Sequence, residues 1–424
     1  MVQLDQQAAQ APILTRGSGP LDQALRARAR RVVPGGMYGH LDVEMTHLPV
    51  NFPQFYETAH GATVVDVDGN EYVDLMCSWG PVLLGYAHPG VEEAVRRQAA
   101  IGDINNGPSA RMVELAELLV DTVSHADWAV FGKNGTDATT ACCTIARAAT
   151  GRRKVLKATT SYHGSNPPFT PIMSGVTAED RANIVEFAYN DLASLEAAVA
   201  AHEGDVAAVI VTPFFHDGFG DLALVDPAFA AGVRAVCDRI GAVLILDEVR
   251  AGFRLDLRGS WESLGIRPDL SAFSKALANG YPISAVTGTD ALREAANGVY
   301  LTGSFWLQAV PMAAAIATIT EAARTDAVGR MTTLGERLLT GLRSIATSTG
   351  IPMIVSGEPT MPKIRFEGDP EMRLANLFCG TALEHGAFLH PWHNWFISAA
   401  HTEQSIDLAL AAAAAGADVV RAAL

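Results

Sequence analysis

The chain has 424 residues, of which 49% are hydrophobic and 18% are charged, so its composition excludes a disordered protein. A chain of this length is expected to fold into two or more lobes. The formal net charge of −15 argues against nucleic acid or an anionic membrane as the main partner. That charge sets no limit on a small-molecule ligand, whose pocket can be locally basic.

Five cysteines are spread along the chain, without a CxxC pair or a histidine at metal-ligand spacing. They predict no metal site and favour a reduced, cytoplasmic protein. The N-terminus lacks a basic start followed by a long apolar segment, and no stretch of about eighteen residues is both apolar and uncharged. We therefore expect neither a secretory signal nor a membrane-spanning helix.

In chain order, the first predicted elements are a mobile arm and a helix, which take up residues 1 to about 33 and end at Pro34-Gly35-Gly36. Asp68-Gly69-Asn70 lies between two alternating apolar segments and predicts a β-hairpin. Residues 111–123 have apolar side chains at helical spacing and predict an amphipathic helix.

Short apolar segments alternate with helical or loop stretches from residue 128 to about residue 289. This alternation predicts an α/β fold with a mainly parallel central sheet and helices on both faces. Beyond residue 309, a long helical region precedes short strands and a final helix. The expected domains are 1–75, an arm and part of a small domain; 76–308, a large ligand-binding domain; and 309–424, a C-terminal small domain.

Two predicted strands of this sheet end in chemically useful side chains. The apolar run 242–246 ends in Asp247, and the segment 269–273 is followed by Lys275. Ligands of open parallel sheets bind beyond the carboxyl ends of the strands, so these two residues are placed to meet over one ligand. The pair suits a pyridoxal 5′-phosphate (PLP) enzyme, in which a lysine forms the Schiff base and a carboxylate partners the pyridine nitrogen. The alternative is an ordinary salt bridge between unrelated surface loops.

Three further turns are candidate ligand contacts. Residues 132–135 make a tight turn before a helix that starts near Thr136, which is either an anion site or an ordinary helix start capped by Thr136. Tyr162-His163 follows the next strand and either stacks on an aromatic ligand or packs within its loop. Gly303-Ser304 either binds a phosphate or forms a helix entry.

Taken together, these stretches occur in an order that resembles the class III aminotransferases of PLP fold type I, and most closely the glutamate-1-semialdehyde aminomutase-like proteins. The resemblance covers residue 33 to the C-terminus and includes VPGG, DVDGNEYVD, SWGPVLLGYAHP, GTDA, YHG, LDEVRAGFR, SKALANGYP and SAAHTEQSID. It implies a PLP-dependent aminotransferase with small-molecule amine and carbonyl substrates. An intramolecular aminomutase or a racemase on the same scaffold, and a non-catalytic PLP-binding module, are the alternatives.

The resemblance also implies roles for individual residues. Lys275 would be the Schiff-base lysine, and Asp247 would keep the pyridine nitrogen protonated, so that the ring acts as an electron sink. Tyr162, with His163 behind it, would stack on one face of the ring, and Val249 would press on the other. Tyr162 is thus counted as catalytic, together with Lys275 and Asp247.

The phosphate contacts implied by the resemblance come from two chains. Asn134, Gly135 and Thr136 would hold the phosphate, and Gly303 and Ser304 would reach the phosphate of the neighbouring subunit. A homodimer with shared active sites is therefore implied.

The substrate pocket is the least determined part of the sequence. By family position, its wall is formed by Tyr38, His40, Trp79, Trp306, His393 and Asn394, each of which is otherwise a packing residue. Such a wall favours a substrate with hydroxyl groups or a ring. Arg250 and Arg254 are candidates to pair a carboxylate, although this stretch is chiefly structural in relatives. Residues 389–398 lack the acid that aminomutase relatives carry, which argues against the aminomutase reaction.

Overall fold

The computed structural model describes residues 16–216 and 220–424. Most of the predicted N-terminal arm, residues 1–15, lies outside the described residues. The described strands are β1 Tyr56–His60, β2 Thr63–Asp66, β3 Glu71–Asp74, β4 Trp128–Gly132, β5 Lys154–Ala158, β6 Ile184–Phe187, β7 Val206–Val211, β8 Val243–Asp247, β9 Leu270–Phe273, β10 Ser284–Gly288, β11 Met353–Glu358, β12 Met361–Phe366 and β13 Ala387–Phe388. The described helices are α1 Pro20–Val32, α2 Pro89–Ile101, α3 Ala110–Thr122, α4 Gly135–Thr150, α5 Ala178–Arg181, α6 Leu192–Ala201, α7 Pro227–Ile240, α8 Arg293–Gly298, α9 Ala309–Arg324, α10 Ala327–Thr349, α11 Arg373–Glu384 and α12 Glu403–Ala423.

The central sheet has the strand order β4-β10-β9-β8-β7-β5-β6. Strands β9, β8, β7, β5 and β6 run parallel, and β10 is antiparallel to both of its neighbours. Every residue of β7 and β8 is buried, as expected for strands covered on both faces. The prediction of a mainly parallel sheet is confirmed.

Alternate residues of the central strands pack against different helices. On one face, Ile245 lies in a core with residues of α4 such as Ile145. On the other face, Leu244 and Leu246 lie in a core with residues of α6 and α7 such as Phe229. This period of two buries both faces of the sheet and leaves the carboxyl ends of the strands as its accessible edge.

A second sheet combines three strands from the N-terminal part of the chain with one strand from the C-terminal part. Strands β1, β2 and β3 pair in antiparallel fashion, and β13 adds beside β3 in parallel, with Ala387 opposite Val73. The predicted hairpin between β2 and β3 is confirmed, and Gly69 at its turn has a φ of +86°, which favours glycine. Strands from both ends of the sequence thus share one sheet.

The long helical region beyond residue 309 is two helices, α9 and α10, not one. The chain turns at Asp326, whose φ is 49° and whose side chain accepts a hydrogen bond from Gly329 N at the start of α10. Aspartate at a helix N-cap satisfies an otherwise unpaired N–H, so this residue both breaks the first helix and begins the second.

Within residues 16–216 and 220–424, no helix is long and apolar enough to cross a membrane. Over the same residues, no cluster of His, Cys, Asp and Glu side chains is arranged to hold a metal ion. All five cysteines are buried free thiols.

Candidate active site

A cavity of about 470 Å³ opens at the carboxyl ends of β4, β5, β8 and β9. All the predicted cofactor residues line this cavity except Gly303 and Ser304, which were expected to reach the phosphate of the neighbouring subunit. The residues that line it are Asn134, Gly135, Thr136, Tyr162, His163, Asp247, Val249 and Lys275. The parallel strands place these residues, which lie up to 141 positions apart in sequence (134 to 275), around one space.

Lys275 directly follows β9 and Ser274, and begins a short 3₁₀ turn. Its φ of 44° lies in the left-handed region, a strained backbone for a residue with a side chain, and such strain clusters at functional sites. The amine donates a hydrogen bond to the carbonyl oxygen of Trp79 over 3.0 Å. Burial, followed by the charge of Arg250, lowers the pKa of the Lys275 amine to about 7. A large fraction of the amine is therefore neutral and nucleophilic near pH 7.

Asp247 is the last residue of β8 and is buried at the floor of the cavity. One carboxylate oxygen lies 2.7 Å from His163 Nδ1, and the other accepts a hydrogen bond from Val249 N over 3.0 Å. The backbone of His163 is itself fixed, because Thr139 Oγ1 donates to its carbonyl over 2.6 Å. These contacts hold the carboxylate in one orientation.

The N-terminus of α4 forms the opposite side of the cavity. Asn134 is the N-cap: its side chain accepts from Asp137 N, while Asp137 accepts from the backbone N–H groups of Asn134 and Lys133. The alternative that Thr136 caps this helix is therefore wrong, because a capping box at Asn134 and Asp137 already satisfies those groups. This leaves the Thr136 hydroxyl at the cavity, beside the first turn of α4, where an anion is favoured.

Residue 135 must be a glycine because the Val249 side chain lies close to its backbone. A Cβ atom at this position would lie 2.7 Å from Val249 Cγ1, which is closer than real side-chain contacts allow. The helix start and the loop after β8 therefore converge on this side of the cavity.

Four of the predicted substrate-wall residues lie together beside the cavity. The Trp79 ring is 4.4 Å from the His40 ring and 4.9 Å from the His393 ring, between centroids. Asn394, which follows His393, accepts a hydrogen bond from Arg250 Nη1 over 2.7 Å. Burial is the largest cause that lowers the pKa of both His40 and His393, so both imidazoles are neutral at pH 7.

The other predicted residues lie elsewhere in the single chain. Tyr38 is 72% exposed and does not line the cavity. Gly303 and Trp306 line a second cavity of about 860 Å³ beside α3 and β4, and Ser304 is exposed next to them. The prediction that Trp306 belongs to the same wall as Trp79 is not met within one chain, because the loop before α9 runs along α3.

His216 was not predicted as a site residue, and Arg250 was predicted only as one of two candidates to pair a carboxylate. His216 is 6% exposed, lines the cavity, and has no hydrogen-bond partner for either ring nitrogen in another described residue. Arg250 also lines the cavity. Its signal was present in the sequence as a charged residue three positions after a strand-end acid, but the same stretch contains Arg254, and sequence alone did not separate them.

The side chains of the cavity fit PLP. A low-pKa amine suits its aldehyde, a fixed buried carboxylate suits its pyridine nitrogen, and a helix N-terminus with a hydroxyl suits its phosphate. Tyr162, half exposed at the cavity, offers an aromatic face for the ring.

Comparison with known proteins agrees with this geometry. The family model "Aminotransferase class-III" matches residues 45–407. The chain is 46% identical over 389 residues to an aminopentol aminotransferase of Sphingopyxis macrogoltabida, covering 92% of each protein. It is 33% identical to a glutamate-1-semialdehyde 2,1-aminomutase of Roseiflexus castenholzii, covering 92% of this chain and 96% of that protein. The PLP internal aldimine form of the FumI protein of Sphingopyxis sp. MTA144 superposes with a TM-score of 0.92 and 45% identity, covering 94% of this chain and 96% of that one.

The fold and the site define a PLP-dependent transaminase. The chain belongs to the class III aminotransferases, which use PLP to transfer amino groups. The predictions of family, fold, enzyme class and cofactor are thereby confirmed.

Proposed function

We propose that this enzyme moves an amino group between a small-molecule amine and a ketone, aldehyde or oxo acid, with PLP held by Lys275 as a Schiff base. The observation that carries the proposal is that the Lys275 amine and the fixed carboxylate of Asp247 line the same cavity, where burial lowers the pKa of the amine. Few structural roles require a neutral amine and an oriented carboxylate to face one space.

The remaining cavity residues have complementary roles in this proposal. Asp247 would pair with the pyridine nitrogen, and His163 would hold Asp247 in place. The Gly135 and Thr136 backbone and the Thr136 hydroxyl would hold the phosphate, next to the Asn134 cap. Tyr162 and Val249 would flank the ring. PLP bound there supplies an electron sink for the electron pair left when a substrate Cα–H bond is broken.

The proton in that step would be carried by Lys275. The Lys275 amine is close to neutral and donates a hydrogen bond to the Trp79 carbonyl oxygen. It can therefore accept the Cα proton at Nζ and return it from the same atom.

We propose an amine bearing hydroxyl groups as the first substrate. The neutral imidazole of His393 donates from Nδ1 to the Asn394 carbonyl oxygen over 2.6 Å, which leaves Nε2 to accept a hydrogen bond from a ligand. The neutral imidazole of His40, on the other side of Trp79, has one donor and one acceptor nitrogen, and both rings suit a polyol better than an apolar amine. The name of the 46%-identical relative, an aminopentol aminotransferase, supports the same substrate class.

A half-reaction experiment tests the proposal against an aminomutase or a racemase. A hydroxylated amine should convert the purified PLP form to the pyridoxamine form, and a 2-oxo acid should then restore the original visible spectrum. If no oxo acid restores the spectrum, while a single substrate is isomerised, the aminotransferase assignment fails.

We also propose a cytoplasmic homodimer with domains at 1–75, 76–308 and 309–424. The free buried thiols support the reduced setting. Gly303 and Ser304, which lie outside the chain's own cofactor cavity, support the dimer, since there they are free to reach the phosphate of a second subunit. The separate hairpin of β11 and β12 and the helices α9 to α12 support the C-terminal division.

A further inference from the structure

Arg250 and Arg254, only four positions apart, have opposite surroundings. Arg254 is fully buried and donates to the carbonyl oxygens of Ile397, Gly80 and Val82 over 2.8–2.9 Å. These three hydrogen bonds join the loop of Arg254 to the chain at residues 80–82 and at residue 397, which is a structural role.

Arg250 instead faces the cavity with most of its donors unused. Its one hydrogen bond within the described residues is from Nη1 to the Asn394 amide oxygen, over 2.7 Å. No carboxylate among those residues comes within 4.0 Å of it. The charge of Asp247 raises the pKa of Arg250, but both oxygens of Asp247 already have other partners. Burial lowers the Arg250 pKa to about 10, so the group remains a cation at neutral pH.

A second unpartnered group lines the same cavity. His216 is buried, and neither of its ring nitrogens has a hydrogen-bond partner in another described residue. Burial and the charge of Arg250 lower its pKa well below the usual value, so the ring is neutral and keeps one N–H to donate. A buried polar group without a partner is costly, so the His216 ring favours a ligand that completes it, and Arg250, half-buried at the same cavity, has donors free for that ligand.

We infer that Arg250 binds the carboxylate of the amino acceptor, which is therefore a 2-oxo acid, with Asn394 orienting the guanidinium and His216 contributing a further N–H. The inference rests on the proposed function and adds the chemistry of the second substrate. Arg250 is close enough to Lys275 for its charge to lower the pKa of that amine. A 2-oxo acid carries its carboxylate one bond from the reacting carbonyl carbon, which suits this proximity. A planar guanidinium also matches a carboxylate in geometry.

The test compares pyruvate with its neutral ester, methyl pyruvate, as the acceptor for the pyridoxamine form. In the unaltered enzyme, pyruvate should react faster than the ester. Arg250→Gln should lower the second-order rate constant for pyruvate by roughly 10- to 100-fold, the usual effect of losing hydrogen bonds to a charged group. The same variant should change the rate with methyl pyruvate by less than about threefold, and Arg250→Lys should retain part of the preference because it keeps the charge.

A binding measurement gives an independent readout. Propionate, an unreactive carboxylate, should perturb the visible band of the PLP form saturably, and Arg250→Gln should weaken this binding by a similar factor. Arg337→Gln, at an exposed ion pair with Asp407, is the matched control and should change neither measurement.

Equal losses with pyruvate and methyl pyruvate would assign Arg250 to the cofactor instead and overturn the inference. Equal rates of the two acceptors with the unaltered enzyme would overturn it while leaving the proposed function intact. If neither acceptor, nor any other carbonyl compound, reacts, the proposed function itself fails.

Discussion

Lys275 and Asp247 show how burial and neighbours prepare single residues for opposite tasks. The Lys275 amine has no carboxylate partner in the described residues, and burial and the Arg250 charge favour its neutral form. The Asp247 carboxylate is held in one orientation by His163 and by the Val249 backbone N–H. One group is thus prepared as a nucleophile and base, and the other as a fixed negative charge.

The pH dependence of covalent PLP capture tests the state of Lys275. Only the neutral amine attacks an aldehyde, so the rate should rise with pH through a midpoint near 7 and level off above it. The measurement is the growth of visible absorbance when apoenzyme is mixed with PLP between pH 6 and pH 10. A lysine amide in solution is the control. A midpoint near the ordinary value of 10.5 would show that the amine is not perturbed.

Replacement of the carboxylate tests Asp247. Asp247→Asn keeps the side-chain shape but removes the negative charge, so PLP should still bind while the transfer rate falls by roughly 100-fold or more, equivalent to about 3 kcal/mol. Single-turnover absorbance measurements give the rate. Asp238→Asn, at an exposed ion pair with Arg234 on α7, is the matched control. Near-normal turnover in Asp247→Asn would remove the proposed electronic role.

At the scale of elements, the start of α4 and the loop after β8 define the phosphate side of the cavity. The capping box of Asn134 and Asp137 fixes the first turn of α4, and Gly135 lets Val249 approach it. The helix is therefore held in place by its own cap and by contact with the neighbouring loop.

Gly135→Ala tests this approach. The added Cβ would lie 2.7 Å from Val249 Cγ1, so helix and loop must separate. Overpacking of this kind costs typically about 1–3 kcal/mol, and we expect PLP affinity to fall roughly tenfold or more. Equilibrium titration of the apoenzyme with PLP measures the change. Gly107→Ala, where no atom lies within 4 Å of the new Cβ, is the control. Unchanged affinity in Gly135→Ala would separate this turn from the cofactor.

The sequence predicts an element of the fold correctly where the signal for it lies within a few neighbouring residues. The strand ends at Asp247 and before Lys275, and the hairpin at Gly69, follow from apolar runs and turn residues within a few positions. The helix cap was assigned to Thr136 as an alternative, although the Asn134-x-x-Asp137 spacing is a readable capping box.

Contacts between distant segments could not be predicted in this way. Arg250 and Asn394 are 144 positions apart, and only the folded chain shows that Arg250 lines the cavity while Arg254 bonds three backbone carbonyl groups. His216 carried no motif at all. Its place in the cavity depends on the path of the chain after β7.

In the whole molecule, the loop before α9 lies away from the cofactor cavity of its own chain. Gly303 and Trp306 line a separate cavity, and Phe305 is 57% exposed. In the proposed dimer, this exposed aromatic residue beside the phosphate contact would be covered by the second subunit. The division into three domains stays a prediction.

Light scattering and one substitution test the shared site. The protein should have about twice the 44.8 kDa mass of the chain in solution. Ser304→Asp should weaken PLP binding by repelling the phosphate of the other subunit, without changing that mass. Ser348→Asp, at the end of α10, is the control. A monomeric enzyme, or a Ser304→Asp variant with normal PLP affinity, would contradict the shared site.

Locating the covalent attachment of PLP tests the role of Lys275 directly. The holoenzyme is reduced with borohydride, digested, and its peptides are analysed by mass spectrometry. The account predicts that the cofactor is found on the peptide containing Lys275, and that Lys275→Ala loses both this label and the visible absorbance band while keeping its circular dichroism spectrum. Attachment of the cofactor to a different lysine, or retention of the band in Lys275→Ala, would contradict it.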